Sequence, residues 1–363
     1  MAEASMITYN MENNRGSKTK FLYDSIKNDI RKGRIMAGEK LPSKRSLAEH
    51  LGIGIITVEN AYAMLEEEGY IEARPRSGFY CMELNLMTEC KTKNDRLIPL
   101  VENRDFSTDS EEKIPHGMTG IMRRLLSERP GILLEKPPHL GCAVLRNAIA
   151  EYLRRYRGMT VQPVNVVVGS GAEYLYGMLV QLFGRDTVFG IEYPSYEKIE
   201  QVYISNGAKT VHLPMDNDGI RTDALQESRA QILHVSPYHS YPTGITASAG
   251  KRYEYISYAL NRGGYVIEDD FDSEFSFSRK PIEPMFSMDR NGIVVYLNTF
   301  SKSIAPSFRI AYLVLPDRLL AEFSEKLGFY SCTVPVFEQY VLAEFIRSGG
   351  FERHLNRLRR NIR

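Results

Sequence analysis

One lysine, Lys302, stands in Tyr296-Leu-Asn-Thr-Phe-Ser-Lys302-Ser-Ile-Ala-Pro-Ser-Phe-Arg309, among Thr299, Ser301 and Ser303 and with Arg309 seven residues on. The β-branched and aromatic run Ile293 to Leu297 reads as a buried strand that delivers this amine into a small, hydroxyl-rich turn. Such a lysine is suited to form a Schiff base with an aldehyde cofactor, and the hydroxyls with Arg309 can hold a phosphate beside it. A lone Ser-Lys pair in a polar turn would be an ordinary surface lysine. Four other segments argue against that reading.

Val166 to Val168 followed by Gly169-Ser170-Gly171-Ala172 is a strand that ends in small residues and opens a helix, whose free N–H groups can cradle a phosphate. Ile191-Glu-Tyr-Pro194-Ser-Tyr196 puts an aromatic just past another strand, where Tyr196 can stack on a flat ring or simply fill a core. Tyr265 to Glu268 enters a carboxylate cluster, Asp269, Asp270 and Asp272. One buried carboxylate there would keep a pyridine nitrogen protonated. The alternatives are a metal site, with His239 as a further ligand, or a solvated acidic loop. Last, His234-Val-Ser-Pro237-Tyr-His239-Ser-Tyr241-Pro242-Thr243-Gly244 is a strand running into a turn on the same sheet edge, where strand ends converge on one ligand crevice.

The elements that must position these groups follow from the apolar pattern. At 363 residues the chain is long enough for two domains. Strand-like runs at Val164–Val168, Val188–Ile191, Ile232–Val235, Tyr265–Glu268, Ile293–Leu297 and Ile310–Leu315 alternate with helical patterns, which predicts an α/β domain with a mostly parallel sheet over 115–363. A charged stretch of low periodicity over 84–114 reads as a linker. Before it, 15–83 forms a unit of its own. Its first helix carries Phe21, Leu22, Ile26 and Ile30 and stops at Gly33. The second is capped by Ser43 and stopped by Gly52, the third spans Thr57 to Glu68, and Tyr70 to Cys81 gives two short strands about a basic turn.

Formal charge is +1, so no global basic field draws the chain to nucleic acid and any such contact needs a local patch. Four cysteines, Cys81, Cys90, Cys142 and Cys332, lack metal-ligand spacing and read as reduced cytoplasmic thiols. No apolar run approaches the ~20 residues that span a bilayer, and Met1 to Asn14 has no signal-peptide pattern. No membrane partner is expected.

Helix, helix, tight turn, helix and basic hairpin is the order of a winged helix-turn-helix. Its third helix would enter the major groove, with the hairpin tip Arg74 to Gly78 along phosphates or in the minor groove. Lys40, Lys44, Arg45, Arg74 and Arg76 fall in the turns and helix starts that face DNA in such a fold, while Glu66, Glu67 and Glu68 fall at the far end of the third helix. A helical protein-interaction domain is the alternative.

Gly33-Arg-Ile-Met-Ala-Gly38-Glu-Lys-Leu41-Pro-Ser43-Lys-Arg45-Ser-Leu47-Ala48, Leu51-Gly52 and Thr57-Val58-Glu-Asn-Ala61-Tyr62-Ala-Met-Leu65 through Gly69 closely resemble the GntR-type winged-helix signature. From about residue 114 onward, Glu268-Asp-Asp-Phe-Asp-Ser-Glu-Phe275 and Thr299-Phe-Ser-Lys302-Ser with the other segments resemble fold-type I aminotransferases. Together they resemble the MocR-type (GabR-like) regulators. That resemblance implies pyridoxal 5'-phosphate as cofactor, bound through Lys302 as a Schiff base. Asp269 would sit against the pyridine nitrogen, Tyr196 would stack on the ring, and Ser170, Gly171, Ala172, Thr299 and Arg309 would bind the phosphate. It also implies operator DNA and a small amino-containing effector as partners, and a homodimer.

The chain departs from the family pattern at several places. Gly54-Ile55 stands where a Ser-Arg pair usually opens the recognition helix, which leaves Thr57, Asn60 and the Lys44/Arg45 pair as readers and implies weaker sequence discrimination. Phe271 replaces a tyrosine whose hydroxyl meets the cofactor's phenolic oxygen, and Tyr241 is the residue placed to supply that donor instead. Ala172 replaces a polar phosphate-loop residue. The family continues beyond the position of Arg363 into a small domain bearing a carboxylate-gripping arginine, so the chain is expected to be a fragment or to lack that clamp. These readings converge on a transcription regulator that senses an amine through an aminotransferase-like domain. A working aminotransferase with an accessory winged helix, and a DNA-binding dimer with an empty pocket, are the rivals.

Overall fold

The first helix, α1 (Lys18–Arg31), buries Leu22, Ile26 and Ile30, the i, i+4, i+8 stripe of its sequence, and Ser17 Oγ accepts from Lys20 N–H at its start. These coordinates are a computed structural model that describes residues 7–9, 17–75, 77–82, 114–275, 282–305 and 307–361. Arg76 and the linker, apart from Ile114, lie outside the described residues. Two compact units emerge, one drawn from 1–89 with 247–254 and one from 90–246 with 255–363.

In the first unit α2 (Lys44–Leu51) is capped by Ser43, whose Oγ accepts from Ser46 N–H at 3.1 Å. It ends on Gly52 at φ 63°, a left-handed position glycine takes without a Cβ penalty. The third helix, α3 (Ile55–Glu67), starts two residues before the expected Thr57, because Gly54 turns the chain in with extended geometry but offers no capping side chain. A hairpin follows, β1 (Ile71–Arg74) against β2 (Gly78–Cys81), with Arg74 opposite Gly78. Leu22, Leu47, Val58, Ala61, Tyr62 and Leu65 form the core. Glu68, at the far end of α3, is buried, accepting from Lys27 Nζ at 2.8 Å and from the Tyr23 hydroxyl.

The second unit is built on an eight-stranded sheet. Its strands are β3 (Val166–Gly169), β4 (Val188–Tyr193), β5 (Lys209–Asp216), β6 (Gly219–Ile220), β7 (Ile232–Val235), β8 (Tyr265–Asp269), β9 (Val294–Thr299) and β10 (Ala311–Val314). They lie in the order β3-β10-β9-β8-β7-β4-β5-β6. The central pairs from β9 to β5 are parallel, while β10 is antiparallel to both β3 and β9, and β6 to β5. The fold is therefore α/β, a winged helix-turn-helix followed by a mixed, mostly parallel sheet. All six expected strands form. β5 and β6 were not legible: β5 lacks the continuous apolar run of the inner strands and contains Pro214, which weakens a strand reading, and β6 has only two residues.

Candidate functional site

Strand register brings the chemistry-bearing segments to one edge. Gly169 of β3 lies opposite Ala311 of β10, Ala311 opposite Thr299 of β9, and Leu297 opposite Asp269 of β8. Because β10 runs against its neighbours, its start meets their ends. Arg309, Ser170, Lys302 and Asp269 thus leave the sheet on the same side.

Asp269 is buried at the end of β8. Its Oδ2 accepts from the Tyr176 hydroxyl and faces His234 Nε2 at 3.3 Å, and His234 Nδ1 is in turn 2.6 Å from the Tyr203 hydroxyl. Its Oδ1 finds no hydrogen-bond partner among the described residues. A buried carboxylate oxygen without a donor is costly, so this atom is one that a ligand N–H would satisfy. Asp270, next in the chain, is engaged elsewhere, by Arg157, the Tyr296 hydroxyl at 2.6 Å and Ser273 Oγ at 2.8 Å. The carboxylate cluster of the sequence therefore splits, and Asp269 is the member with a fully buried oxygen that meets no partner among the described residues.

Lys302 Nζ is bonded to Asp272 Oδ1, and Asp272 Oδ2 lies 3.2 Å from His239 Nδ1. Burial would raise the Asp272 carboxyl, but the His239 hydrogen bond and the Lys302 charge outweigh it and hold the group below its ordinary value. The rings of Phe271 and Phe275 each lie with centroids 5.4 Å from Lys302 Nζ.

The phosphate-binding candidates gather where β3 enters the helix Ala172–Phe183. A Cβ on Gly171 would come within 2.8 Å of Arg309 Nη2, so glycine is what lets the guanidinium lie against this helix start. Arg309 donates to Glu173 at 2.9 Å, and Thr333 Oγ1 donates to Ser170 Oγ at 2.9 Å. Thr299 sits across the β9–β10 turn, its Oγ1 3.2 Å from Ser301 N and Oγ. Tyr196, half exposed, meets the Tyr241 ring edge-on with centroids 6.0 Å apart. Tyr241 is thus placed beside the stacking candidate.

Sequence reasoning passed over Tyr176 and His234 as the grip on Asp269, Asp272 as the partner of Lys302 with His239 behind it, Thr333 on Ser170, and Glu192. The last is buried at the end of β4, accepting from Ser240 Oγ at 2.6 Å and Ser236 N–H at 3.1 Å. A usable signal existed for Tyr176, four residues into a helix whose start faces the edge. None existed for Thr333, which only the third dimension brings to Ser170.

In the first unit Arg45 is exposed on α2. Lys44 Nζ is paired with Glu59 at 2.9 Å, and Arg74 pairs with Glu72 and stacks on the Tyr80 ring at 4.3 Å. Thr57 and Asn60 are half-buried along α3. Both ion pairs are solvent-exposed and can exchange for phosphates at small cost.

Residues 18–81 match the family of bacterial regulatory proteins, gntR family, and residues 109–363 match aminotransferase class I and II. The chain is 33% identical over 352 residues to the HTH-type transcriptional regulator YdeL of Bacillus subtilis, covering 94% of this chain and 76% of that protein. It is 28% identical to the probable rhizopine catabolism regulatory protein MocR of Rhizobium meliloti, covering 93% and 73%. Among solved structures, an archaeal alanine:glyoxylate aminotransferase superposes with a TM-score of 0.61 at 26% identity, covering 66% of this chain and 62% of that one. The chain therefore spans less than two thirds of that enzyme's length.

Proposed function

The chain belongs to the GntR-type helix-turn-helix transcription regulators that carry an aminotransferase class I and II domain, the MocR-like group, and on that premise we propose that it binds operator DNA under control of an amine sensed at a pyridoxal 5'-phosphate site. The working division is a winged helix over 15–83, a linker over 84–114 and the cofactor-binding domain over 115–363. The unmet, buried Oδ1 of Asp269 carries the cofactor reading. Bound there, pyridoxal 5'-phosphate supplies an aldehyde carbon that captures amines.

The chain's own groups divide the work. Asp269, held by Tyr176 and His234, would keep a proton on the ring nitrogen. Arg309 and the helix start at Ala172, with Ser170, Gly171 and Thr299, would bind the phosphate. Tyr196 would cover the ring. Asp272 provides a counterion for Lys302 as an ammonium whenever the lysine is not otherwise joined. An effector that favours one of these two lysine states shifts the domain between two arrangements only to the extent that it binds them unequally. A homodimer, as is typical of the aminotransferase fold, and a place beside the chromosome in the cytoplasm complete the proposal.

The experiment is cofactor titration of the purified chain followed by visible absorbance, then DNA binding with and without cofactor and with a panel of primary amines. Lys302→Ala should lose the lysine-linked absorbance while keeping the fold. A borohydride-reducible adduct that persists in Lys302→Ala would assign the cofactor elsewhere. Turnover of amino acids with a keto-acid acceptor would favour an enzyme over a sensor.

A further inference from the structure

The first two side chains of α3, Ile55 and Ile56, are 45% and 71% exposed, although the helix buries Val58, Ala61, Tyr62 and Leu65. At 100° per residue Ile56 lies almost opposite Val58 and shares the outward face with Asn60, one turn on. Single exposed apolar residues are ordinary. Two adjacent β-branched ones at a helix start are less usual, and Ile56 in particular gains little from burial there. Gly54 before them offers no side-chain cap. The unit's candidate phosphate-binding cations include exposed Arg45 on α2, Lys44 in a solvent-exposed pair with Glu59 of α3, and Arg74 of the hairpin in one with Glu72.

We infer that α3 reads thymine, with Ile56 and Ile55 packing against the C5-methyl groups that thymines present in the major groove. This rests on the DNA-binding reading of the first unit. The N-terminal residues of a recognition helix are the ones that reach base edges. An isoleucine has no donor or acceptor, so it cannot read guanine, adenine or cytosine by hydrogen bonds. The thymine methyl is the one apolar group on those edges and the natural partner of an alkyl side chain. The cations suit the flanking phosphates, which set register without reading sequence. Half-buried Asn60 on the same face can add an adenine contact, which would strengthen a preference for A·T-rich sites. The occupant of this surface is therefore duplex DNA that presents thymine methyl groups to the start of α3.

The test uses the full chain and a random duplex pool, enriched by binding at fixed salt. Thymines of the enriched sequence are then replaced singly by deoxyuridine, which pairs identically but lacks the methyl. One or two positions per half-site should each weaken binding about fourfold, the effect of one methyl group returned to water. The salt dependence should not change, since no phosphate contact is lost. Ile56→Ala should bind thymine and uracil duplexes alike at one of those positions, with Ile55→Ala doing so at a neighbour. Such coupling isolates the methyl contact from any change in overall affinity. Enriched DNA insensitive to uracil, or an equal uracil penalty in both variants and the parent, would overturn the thymine contact and leave DNA binding intact. Failure to enrich any duplex would remove the DNA reading and this inference with it.

Discussion

Glu192→Gln should flatten the pH dependence of stability of the sheet-containing unit. The Glu192 carboxyl is buried at the end of β4, and burial pushes it up from its ordinary 4.5 to about 7. Hydrogen bonds from Ser240 and Ser236 pull the other way, and the Asp269 charge adds to the rise. Between those two pH values the folded chain keeps a proton that the unfolded chain has released. Stability that this group contributes at acid pH is therefore lost as pH climbs from about 4.5, and the loss is complete once the folded carboxyl ionises near 7. The gap corresponds to about 3 kcal/mol at 1.36 kcal/mol per pH unit. Glutamine keeps an oxygen to accept from Ser240 and never ionises. Its stability curve should gain about 3 kcal/mol on the parent's between pH 4.5 and 8. Urea unfolding at a series of pH values, followed by circular dichroism because the chain has no tryptophan, gives both curves. Parallel curves would mean that Glu192 is ionised in the fold and that burial does not govern it.

Arg45→Ala should weaken operator binding and reduce its salt slope by about one per lost phosphate contact, and Arg76→Ala the same; unchanged binding in both at matched salt would mean that the winged helix meets a protein instead. Gly54→Ser restores an oxygen at the start of α3 and should raise the thermal stability of the first unit by a few tenths of a kcal/mol, roughly the gain of a serine over a glycine cap; scanning calorimetry reads it, and a lowered transition would show that the extended entry at Gly54 cannot accept a side chain. Tyr241→Phe should shift the pH titration of the cofactor-loaded chain's visible absorbance, with Phe271→Tyr restoring it; superimposable curves would show that Tyr241 donates nothing to the cofactor.

Much of the fold was legible because its elements carry strong local signals. Ser43 and Gly52 bracket α2 with side-chain and left-handed backbone geometry that few other residue types provide. Ile232–Val235 is fully buried and apolar except at His234, and its limits in the sequence and in the structure coincide. β5 failed the same test because it lies next to the sheet's edge, and one flank in water makes its sequence half polar. The start of α3 was misplaced for a related reason. A glycine with no capping side chain leaves no mark, and the apolar pair after it looks like loop filling.

The site was legible as residue types but not as partnerships. Lys302, Asp269, Arg309 and the Gly171 helix start were readable from strand ends, whereas Asp272 became meaningful only when β8 and β9 set it beside Lys302. That pairing also changes what Phe271 means. Read as a lost hydroxyl, it is only a defect in holding a phenolic oxygen. In the structure its ring and that of Phe275 flank the lysine nitrogen at 5.4 Å each, within the range where an aromatic face attracts a cation. Two faces and one carboxylate backed by His239 suit an ammonium. In the proposed site Phe271 would offer the cofactor's phenolic oxygen no donor, while its ring lies beside the uncombined lysine. The proposed sensor, whose output would be the difference between two lysine states, would draw on that contact in the state with a free ammonium.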